Sequence, residues 1–328
     1  MTRFIKRGLV SVVVASYNHA NFLDSRMKTL VNQTYKDIEI IVIDDFSSDN
    51  SRDILKKYKS NNRVKLIFNS TNKGWVSVSN QGLKLALGEY IIFANCDDYC
   101  DPRLVEVLVK KIEINKNIAI AYSRSYLIDE YGHILGDDYS LRERSFKSLC
   151  FTSKLVSKKI MRKFLLHSCV IPNLSAALIR RDHLLNMNGF SSEYKVCSDW
   201  DLFLKISNFY DFYYVNQPLN FFRQHKKTVR SANKDRIYYY EIIKLVLNSI
   251  LKTNLTFYEK LRLKFNVMHI WAKHVLSPTL KGISNFTSFS SLVLKVDPFS
   301  ILLFPFALLL NILSLPIFLV KYFLKGRV

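Results

Sequence analysis

Apolar and polar residues follow two alternating periods over residues 9–122. Short apolar runs typical of buried strands occupy residues 9–15, 38–43, 64–68, 90–94 and 118–122. Between them, apolar residues recur at helical spacing over about residues 21–32, 50–58, 76–87 and 102–115. Strands that alternate with helices predict an α/β fold with a mostly parallel sheet and right-handed crossovers. No GxGxxG follows the first strand, which argues against a dinucleotide-binding dehydrogenase.

The carboxyl-terminal part of the chain has a different pattern. Two stretches, residues 153–166 and 257–276, place basic residues on one side of a helical wheel and apolar residues on the other. Such helices suit a membrane surface, although a solvated surface helix fits the same pattern. The predicted organisation is an α/β domain over residues 1–230, a helical extension over 231–297 and a hydrophobic segment over 298–328.

The hydrophobic segment has the composition of a membrane anchor. Residues 299–320 carry no charge and match the roughly 20 residues that a helix needs to cross a bilayer. Pro305 and Pro316 interrupt the segment, and Lys321 follows it. A single crossing would place this basic end opposite a strongly basic cytosolic body, against the positive-inside tendency. We therefore expect a re-entrant or in-plane anchor, with a buried core hairpin as the alternative.

The charge balance limits the classes of binding partner that are expected. Lys and Arg number 48 against 27 Asp and Glu, a formal net charge of +21. Such a surplus favours an anionic membrane surface or phosphorylated ligands. Zinc-finger, P-loop and Gly-rich RNA-binding spacings are absent from the sequence, so nucleic acid is not an expected partner. The five cysteines form no CxxC pair, which fits free thiols in a reduced cytosolic compartment.

Two adjacent carboxylates, Asp97 and Asp98, end the fourth apolar run. Ligands of open α/β sheets bind outside the carboxyl ends of the strands. Neighbouring carboxylates repel unless a positive charge lies beside them, and a divalent cation that prefers oxygen ligands meets that need. The alternative is a helix start, with Asp98 or Asp101 as the cap of a helix that begins at Pro102. Taken alone, the pair fits both interpretations.

Further acidic and basic clusters lie where other elements should end. Asp44 and Asp45 close the second apolar run, Asp199 precedes an apolar helix-like segment, and Arg223 lies two residues before His225. Each cluster alone has a structural explanation as turn or cap residues. Asp pairs at the ends of two strands of one sheet are less expected from capping alone.

The order of the motifs around these clusters resembles the family 2 glycosyltransferases of GT-A fold. The resemblance covers about residues 9–230. It rests on residues 10–18 (VSVVVASYN), 33–35 (QTY), 39–49 (EIIVIDDFSSD), 72–74 (NKG), 80–82 (NQG), 88–91 (GEYI), 188–190 (NGF) and 198–202 (SDWDL). It implies a nucleotide-binding half over about residues 9–125 and an acceptor half over about 126–230.

The resemblance also implies a role for each cluster. Asp97 matches the metal-binding aspartate, with Mg²⁺ or Mn²⁺ bridging the donor diphosphate, and Asp199 matches the proposed general base of inverting members. Arg223 and His225 match a basic element that meets the diphosphate or the acceptor. The nucleotide pocket is expected to be formed by Ser16, Tyr17, Asn18, Asp44, Asp45 and Asn95.

The chain departs from the family pattern at two positions. Asn95 replaces the first aspartate of the DxD motif, so a neutral carbonyl oxygen faces the ribose or a metal-bound water. Ser198 stands where a glutamate usually precedes the base, which removes a like charge that would raise the pKa of Asp199. Neither change deletes a group that the mechanism requires.

The roles of three other side chains are open from the sequence. Arg180 and Arg181, in the segment that resembles the family's acceptor-side strand, fit either an acceptor contact or plain surface charges. Trp75 follows Lys73 and Gly74, and it can stack on a sugar or pack against the protein.

The expected function is inverting sugar transfer, a hexosyltransferase reaction, from a nucleotide-sugar to a saccharide acceptor, with a lipid-linked acceptor in bacterial surface polysaccharide synthesis preferred. The expected location is the cytoplasmic face of the cell membrane. One alternative is a nucleotidyltransferase of similar fold, but residues 15–20 lack the Gly-rich basic loop that this class usually needs. The other is a non-catalytic sugar-binding scaffold.

Overall fold

The computed structural model describes residues 5–138, 146, 151–171, 173–225, 237–276 and 282–313. The chain divides into two compact units, Met1–Thr228 and Val229–Val328. The first unit contains one ten-stranded sheet. Its strands are β1 (Lys6–Ser16), β2 (Ile38–Asp44), β3 (Val64–Phe68), β4 (Gly88–Asn95), β5 (Tyr99–Cys100), β6 (Ile118–Ile128), β7 (Ile134–Asp137), β8 (Lys154–Val156), β9 (Ala177–Arg180) and β10 (Asp211–Arg223).

The sheet is mixed, and its long strands pair in parallel. The strand order is β3-β2-β1-β4-β9-β6-β10-β5, with β7 on β6 and β8 on β10. Strands β1 to β4 are parallel to their neighbours in this set, and so are β6 and β10. The short strands β5, β7, β8 and β9 pair antiparallel. The predicted α/β class and mostly parallel sheet are confirmed.

Helices cover both faces of this sheet. Within the described part of the first unit they are α1 (Ala20–Val31), α2 (Ser51–Lys56), α3 (Trp75–Leu85), α4 (Leu104–Ile112), α5 (Lys158–His167), α6 (Arg181–Asn186) and α7 (Ser198–Ile206). Alternate β1 residues such as Val10 and Val12 pack with Leu23 of α1 in the main core. On the other face, Gly82 lets α3 approach Val13 so closely that an added Cβ would lie 2.2 Å from a Val13 methyl.

The register of the parallel strands gathers the expected nucleotide residues at one edge. Ser16 at the end of β1 pairs with Asp44 at the end of β2. On the other side, Ala15 pairs with Asn95 at the end of β4. The carboxyl ends of three neighbouring strands therefore meet, as ligand sites of open α/β sheets require.

Two interpretations from the sequence need correction. The helix predicted over residues 153–166 is present only from Lys158, because Leu155 and Val156 pair with β10 in strand β8 and Ser157 is the N-cap. Of the two alternatives for this helix, the surface helix fits the structure, because Met161, Leu165 and Leu166 are buried against the core.

The acceptor-contact hypothesis for Arg180 and Arg181 is also contradicted. Both guanidinium groups are buried. They lie at the amino ends of β4 and β6, whereas Asp97 follows the carboxyl end of β4. Arg180 Nε donates to the Ile118 carbonyl at 2.9 Å, and Arg181 Nε donates to the Gly88 carbonyl at 2.6 Å.

The second unit is helical. It contains α8 (Ile237–Leu251), α9 (Phe257–Val275), α10 (Gly282–Val296), a 3-10 segment (Pro298–Leu303) and a helix over residues 304–313. Its core surrounds Trp271, whose ring contacts Phe286, Phe289 and Phe304. Across the described ranges, no helix is both long and apolar enough to cross a membrane. Pro316 and Lys321 lie outside the described residues.

Candidate active site

The loop after β1 is tied to the loop after β2. Asn18 adopts a left-handed backbone conformation with φ of 55°, which asparagine tolerates better than most residues. Its backbone N–H donates to Ser47 Oγ at 3.0 Å, and its side-chain oxygen accepts from the Ser48 N–H at 2.8 Å. Tyr17 and Phe46 are left about half exposed, at 46% and 52%. Two aromatic rings therefore lie open to a planar ligand on this pair of loops.

The two aspartates at the end of β2 are buried and internally hydrogen-bonded. Asp44 accepts from the Ser47 N–H at 3.1 Å and from Arg52 Nε at 3.0 Å. Asp45 accepts from the backbone N–H groups of Lys73 and Gly74, at 3.0 and 2.8 Å, and from Asn69 Nδ2. Asp45 thus fixes the start of α3, while Asp44 fixes the turn that carries Phe46.

The two aspartates after β4 differ in their surroundings. Asp98 is buried and does not cap a helix, since α4 begins at Leu104 without a side-chain cap. Its oxygens accept from Ser175 Oγ and Asn173 Nδ2, both at 2.7 Å, and from the Arg223 N–H at 3.0 Å. The helix-cap interpretation of Asp98 is therefore wrong. Asn95 Nδ2 lies at hydrogen-bond distance from Asn173 Oδ1, 3.2 Å away, and its backbone N–H donates to Ser175.

Asp97 belongs instead to a cluster with two histidines. Asp97 Oδ2 lies 3.0 Å from His225 Nε2. Asp97, His225 and His19 each offer one ligand atom, and these atoms all lie within 4.8 Å of one another. A cavity of about 890 Å³ adjoins them, lined by Asn18, His19, Phe22, Asp49, Tyr131 and His225 among others.

The donor set fits a divalent cation. His19 Nδ1 lies 2.6 Å from the Tyr17 carbonyl oxygen, which can only accept, so the ring proton is on Nδ1. The Nε2 atom of His19 then carries the lone pair and can serve as the ligand, as in histidine ligands oriented by a backbone carbonyl. One carboxylate oxygen and two imidazole nitrogens are suitable ligands for divalent cations such as Mn²⁺.

Electrostatics separate the two neighbouring carboxyl groups. Burial alone would raise the pKa of Asp97, but the hydrogen bond from His225 and the charges of His19 and His225 hold it below its usual value. Burial and the charge of Asp97 raise the pKa of Asp98 to about 6, against the opposing effect of Arg26. Asp97 is accordingly the carboxylate suited to a cation, and Asp98 is the structural member of the pair.

Arg223 is placed at the cluster but points into the protein. Its Nε donates to the Asp97 carbonyl at 2.7 Å, and its Nη1 donates to the carbonyls of Asp129 and Glu130. The guanidinium also lies over the Phe22 ring, 4.6 Å from its centroid, and Phe22 in turn contacts the His225 ring. Arg223 therefore holds the end of β10 against the end of β4.

Asp199 lies on the first turn of α7 and is half-buried. Its Oδ1 accepts from the Trp200 N–H at 2.8 Å. A negative side chain is stabilised at a helix amino terminus by the backbone N–H groups and the helix dipole. Asp199 therefore lies at the end of α7 that favours a negative side chain.

Sequence reasoning did not assign roles to His19, Phe46 or Arg52. His19 stands directly after the SYN motif, and its place beside a strand end was the available signal. Phe46 and Arg52 depend on a three-dimensional contact, because Arg52 lies over both the Phe46 and Phe68 rings, 5.6 Å from each centroid. No spacing in the sequence indicates that stacking.

The division of roles between Asp97 and Asp98 is testable by amide substitution. We expect Asp98→Asn to lower the free energy of unfolding by about 2–4 kcal/mol. The new NH₂ group replaces one acceptor oxygen, so buried donors that Asp98 accepts from would lose their acceptor. Asp97→Asn is the matched control, since its amide oxygen still accepts from His225, and we expect a loss under about 1 kcal/mol. Urea unfolding curves measure both. Equal losses would contradict the assignment.

Comparisons with known proteins find relatives among glycosyltransferases and polysaccharide synthases. Over 209 residues, or 64% of this chain, it is 29% identical to the chondroitin synthase of Pasteurella multocida, covering 20% of that protein. It is 32% identical over 195 residues to the cholesterol galactosyltransferase of Borreliella burgdorferi, covering 57% of this chain and 52% of that one. The matched region is thus only about a fifth of the synthase and half of the galactosyltransferase.

A solved structure shares the fold. The crystal structure of Staphylococcus aureus TarS 1–349 in complex with UDP-GlcNAc aligns with a TM-score of 0.68 at 19% identity, covering 90% of this chain and 83% of that one. At this identity the likeness establishes the fold, and it covers most of both chains. The family model described as glycosyl transferase family 2 matches residues 11–185, more than half of the chain. The chain belongs to glycosyl transferase family 2.

Proposed function

We propose that this protein is an inverting hexosyltransferase that moves a sugar from a nucleotide-sugar donor to a saccharide acceptor. The observation that carries the proposal is the cluster of Asp97, His225 and His19 at the strand-end edge where the expected nucleotide residues meet. A cation-binding set next to an open pair of loops matches the chemistry of a nucleoside diphosphate leaving group. Asp199 on a separate helix supplies the remaining group, a base.

The nucleotide is proposed to bind on the tied loops after β1 and β2. Tyr17 and Phe46 offer exposed aromatic rings for the base, and Ser16, Asn18, Asp44, Asp45 and Asn95 shape the surrounding pocket. Because Asp44 and Asp45 already accept several internal hydrogen bonds, their proposed role combines loop shape with recognition. The UDP-GlcNAc bound to the TarS structure supports a nucleotide-sugar as donor class.

The diphosphate is proposed to bind at the histidine–carboxylate cluster. Asp97, His225 and His19 would hold Mg²⁺ or Mn²⁺ there, and the ion would offset charge on the departing nucleoside diphosphate. In the protein alone, His225 Nε2 faces Asp97 Oδ2 at 3.0 Å, so this nitrogen carries the proton and must give it up to ligate. His19 already has the required tautomer.

Asp199 is proposed to act on the acceptor. Its carboxylate would take the proton of the acceptor hydroxyl as that oxygen attacks the anomeric carbon from the face opposite the diphosphate. Attack from the opposite face inverts the anomeric configuration. The base needs no partner carboxylate, which agrees with Ser198 in the preceding position, where the hydroxyl donates to the Ser191 carbonyl.

The second unit is proposed to dock in the plane of the membrane. On the helix over residues 304–313, the inward positions Phe304, Ala307 and Asn311 are buried. The outward positions include Phe306, Leu309 and Leu310, which are 49–65% exposed, where a soluble helix would carry polar residues. An apolar outer face on a strongly basic chain suits insertion at an anionic leaflet.

A membrane-bound enzyme fits a lipid-linked saccharide acceptor of bacterial surface polysaccharide synthesis. Two relatives support the two parts of such an acceptor. The chondroitin synthase supports a saccharide, and the cholesterol galactosyltransferase supports a lipid. The location proposed is the cytoplasmic face, where nucleotide-sugars are available.

The base assignment predicts the effect of Asp199→Asn. The substitution removes the proton acceptor while keeping the side-chain shape, so transfer kcat should fall about 10²–10⁴-fold with donor affinity unchanged. The assay is nucleoside diphosphate release from a donor panel of UDP-GlcNAc, UDP-glucose, UDP-galactose and GDP-mannose. Asp182→Asn is the matched control, because Asp182 also lies on a first helical turn and accepts from the N–H of the next residue at 2.8 Å. Near wild-type transfer by Asp199→Asn would refute the assignment.

The cation assignment predicts a spectroscopic change as well as a loss of turnover. We expect EDTA to abolish donor turnover and Mn²⁺ to restore it. Electron spin echo spectra of Mn²⁺ bound to the protein should show imidazole nitrogen coupling that weakens in His19→Ala and in His225→Ala. Turnover that survives EDTA, or nitrogen coupling unchanged in both variants, would contradict the site.

The membrane assignment predicts binding to vesicles of phosphatidylglycerol and phosphatidylethanolamine. The triple variant Phe306→Ser, Leu309→Ser, Leu310→Ser should bind at least about ten-fold more weakly, because burying each large apolar side chain contributes about 1.5–3 kcal/mol. Phe209→Ser, which changes a residue of similar exposure in the first unit, is the control. Flotation measures both. A triple variant that floats like wild type would disprove the in-plane anchor.

A further inference from the structure

Residues 189–198 form a segment, the base strap, that leads into α7 and therefore sets where Asp199 lies. The strap closes on itself where Ser198 Oγ donates to the Ser191 carbonyl at 2.8 Å. Helix α3, far away in sequence, holds the strap at two points. Neither contact belongs to the nucleotide, cation or base roles proposed above.

The first point is Asn80 on α3. Its Nδ2 donates to the Phe190 carbonyl at 2.8 Å, and its Oδ1 accepts from the Phe190 N–H at 2.9 Å. Gly189 makes this fit possible, because its φ is +70° and an added Cβ would lie 2.3 Å from Asn80 Oδ1. One amide side chain thus pairs with both backbone groups of the second residue of the strap, Phe190.

The second point is Trp75, the first residue of α3. Its indole Nε1 donates to the Lys195 carbonyl at 2.6 Å, four residues before Asp199. Its ring meets Phe190 edge-on with 5.6 Å between centroids, and Phe190 meets Phe93 of β4 in the same manner at 4.7 Å. The indole therefore packs against the strap and also fixes its backbone.

The same tryptophan is anchored at its other side by a buried carboxylate. Asp45 accepts from the N–H groups of Lys73 and Gly74, and Gly74 is the N-cap of α3. The loop that Asp45 fixes begins at the end of β2, beside the proposed nucleotide pocket. A continuous series of short contacts thus runs from Asp45 through Trp75 to the residue four positions before the proposed base.

We propose that Trp75 is a positioning residue for Asp199, acting through its indole N–H on the Lys195 carbonyl. The inference rests on the proposed role of Asp199 as base. Proton removal and attack require the acceptor oxygen, base and anomeric carbon in one geometry, and a displacement of 1 Å can cost about 10²-fold in rate. The hydrogen bond from Trp75 to the Lys195 carbonyl restrains the backbone four residues upstream of the base. The indole is a positioning group and not a sugar-stacking platform.

The test is Trp75→Phe, which removes the N–H and keeps an aromatic ring. Transfer kcat should fall about ten-fold while the donor KM changes less than two-fold, because the contact acts on the base and not on the nucleotide. Tyr35→Phe is the matched control. It also removes one aromatic donor to a backbone carbonyl at 2.6 Å, that of Gly8 at the opposite end of β1. The control should keep kcat within two-fold.

A double variant separates positioning from general stability. In an Asp199→Asn background, Trp75→Phe should cost less than two-fold in the residual rate, because no base remains to be positioned. A ten-fold loss in both backgrounds would show a merely structural effect and overturn the proposal. So would an unchanged kcat in Trp75→Phe, or a raised donor KM with unchanged kcat, which would indicate contact with the sugar.

Hydrogen exchange tests the contact without relying on the base. Amides of residues 190–198 should exchange at least about three-fold faster in Trp75→Phe than in wild type, with residues 73 and 74 unchanged. Faster exchange together with an active Asp199→Asn enzyme would support the contact between Trp75 and Lys195 but refute the role of Asp199 as base. Unchanged exchange in the strap would refute the restraint of the strap by Trp75, whatever the activity of Asp199→Asn.

Discussion

The buried carboxylate of Asp98 is the interaction on which the site's geometry depends. It collects donors from the end of β10, through the Arg223 N–H, and from the segment before β9, through Asn173 and Ser175. Arg223 then returns to the Asp97 carbonyl. Because His225 follows Arg223 by two residues, these bonds bring its ring to the Asp97 carboxylate. A carboxylate that touches no substrate thereby sets the distance between two proposed ligands.

Both acidic pairs contribute carboxylates that shape loops. Asp44 and Asp45 accept from the N–H groups of Ser47, Lys73 and Gly74. Asp98 accepts from the Asn173 and Ser175 side chains and from the Arg223 N–H. A buried carboxylate is costly unless its oxygens are hydrogen-bonded, and these donors meet that need. Asp97 differs from the other three aspartates, because it lies beside two imidazoles.

The sequence predicted the strands and helices of residues 9–122 well, because buried parallel strands produce apolar runs and amphipathic helices produce a distinct period. The motif order also placed Asp97 and His225 near strand ends, and these two side chains lie 3.0 Å apart in the folded chain. Sequence reasoning failed at β8, where a three-residue edge strand is too short to leave a period. It also failed for Arg180, because a buried arginine bonded to carbonyls has the same local sequence as an exposed one.

His19 and Trp75 show why the rest of the site was beyond sequence reasoning. The tautomer of His19 depends on the Tyr17 carbonyl lying 2.6 Å from Nδ1, which is a property of the folded loop. The contact of Trp75 joins residues 120 positions apart. Both depend on where the backbone places a carbonyl oxygen, and spacing along the chain carries no record of that. The acidic motifs predicted which edge of the sheet carries the site. Only the folded structure shows which atoms meet there.

In the proposed reaction, the sugar is attacked directly, with Asp199 on one side and the diphosphate on the other. The anomeric configuration of the product tests this single displacement most directly. With an α-linked donor such as UDP-GlcNAc, or whichever α-linked donor supports transfer, proton NMR of the freshly formed product should show a β-glycoside. An α-glycoside would mean that configuration is retained, and it would contradict single-displacement transfer with Asp199 as the base.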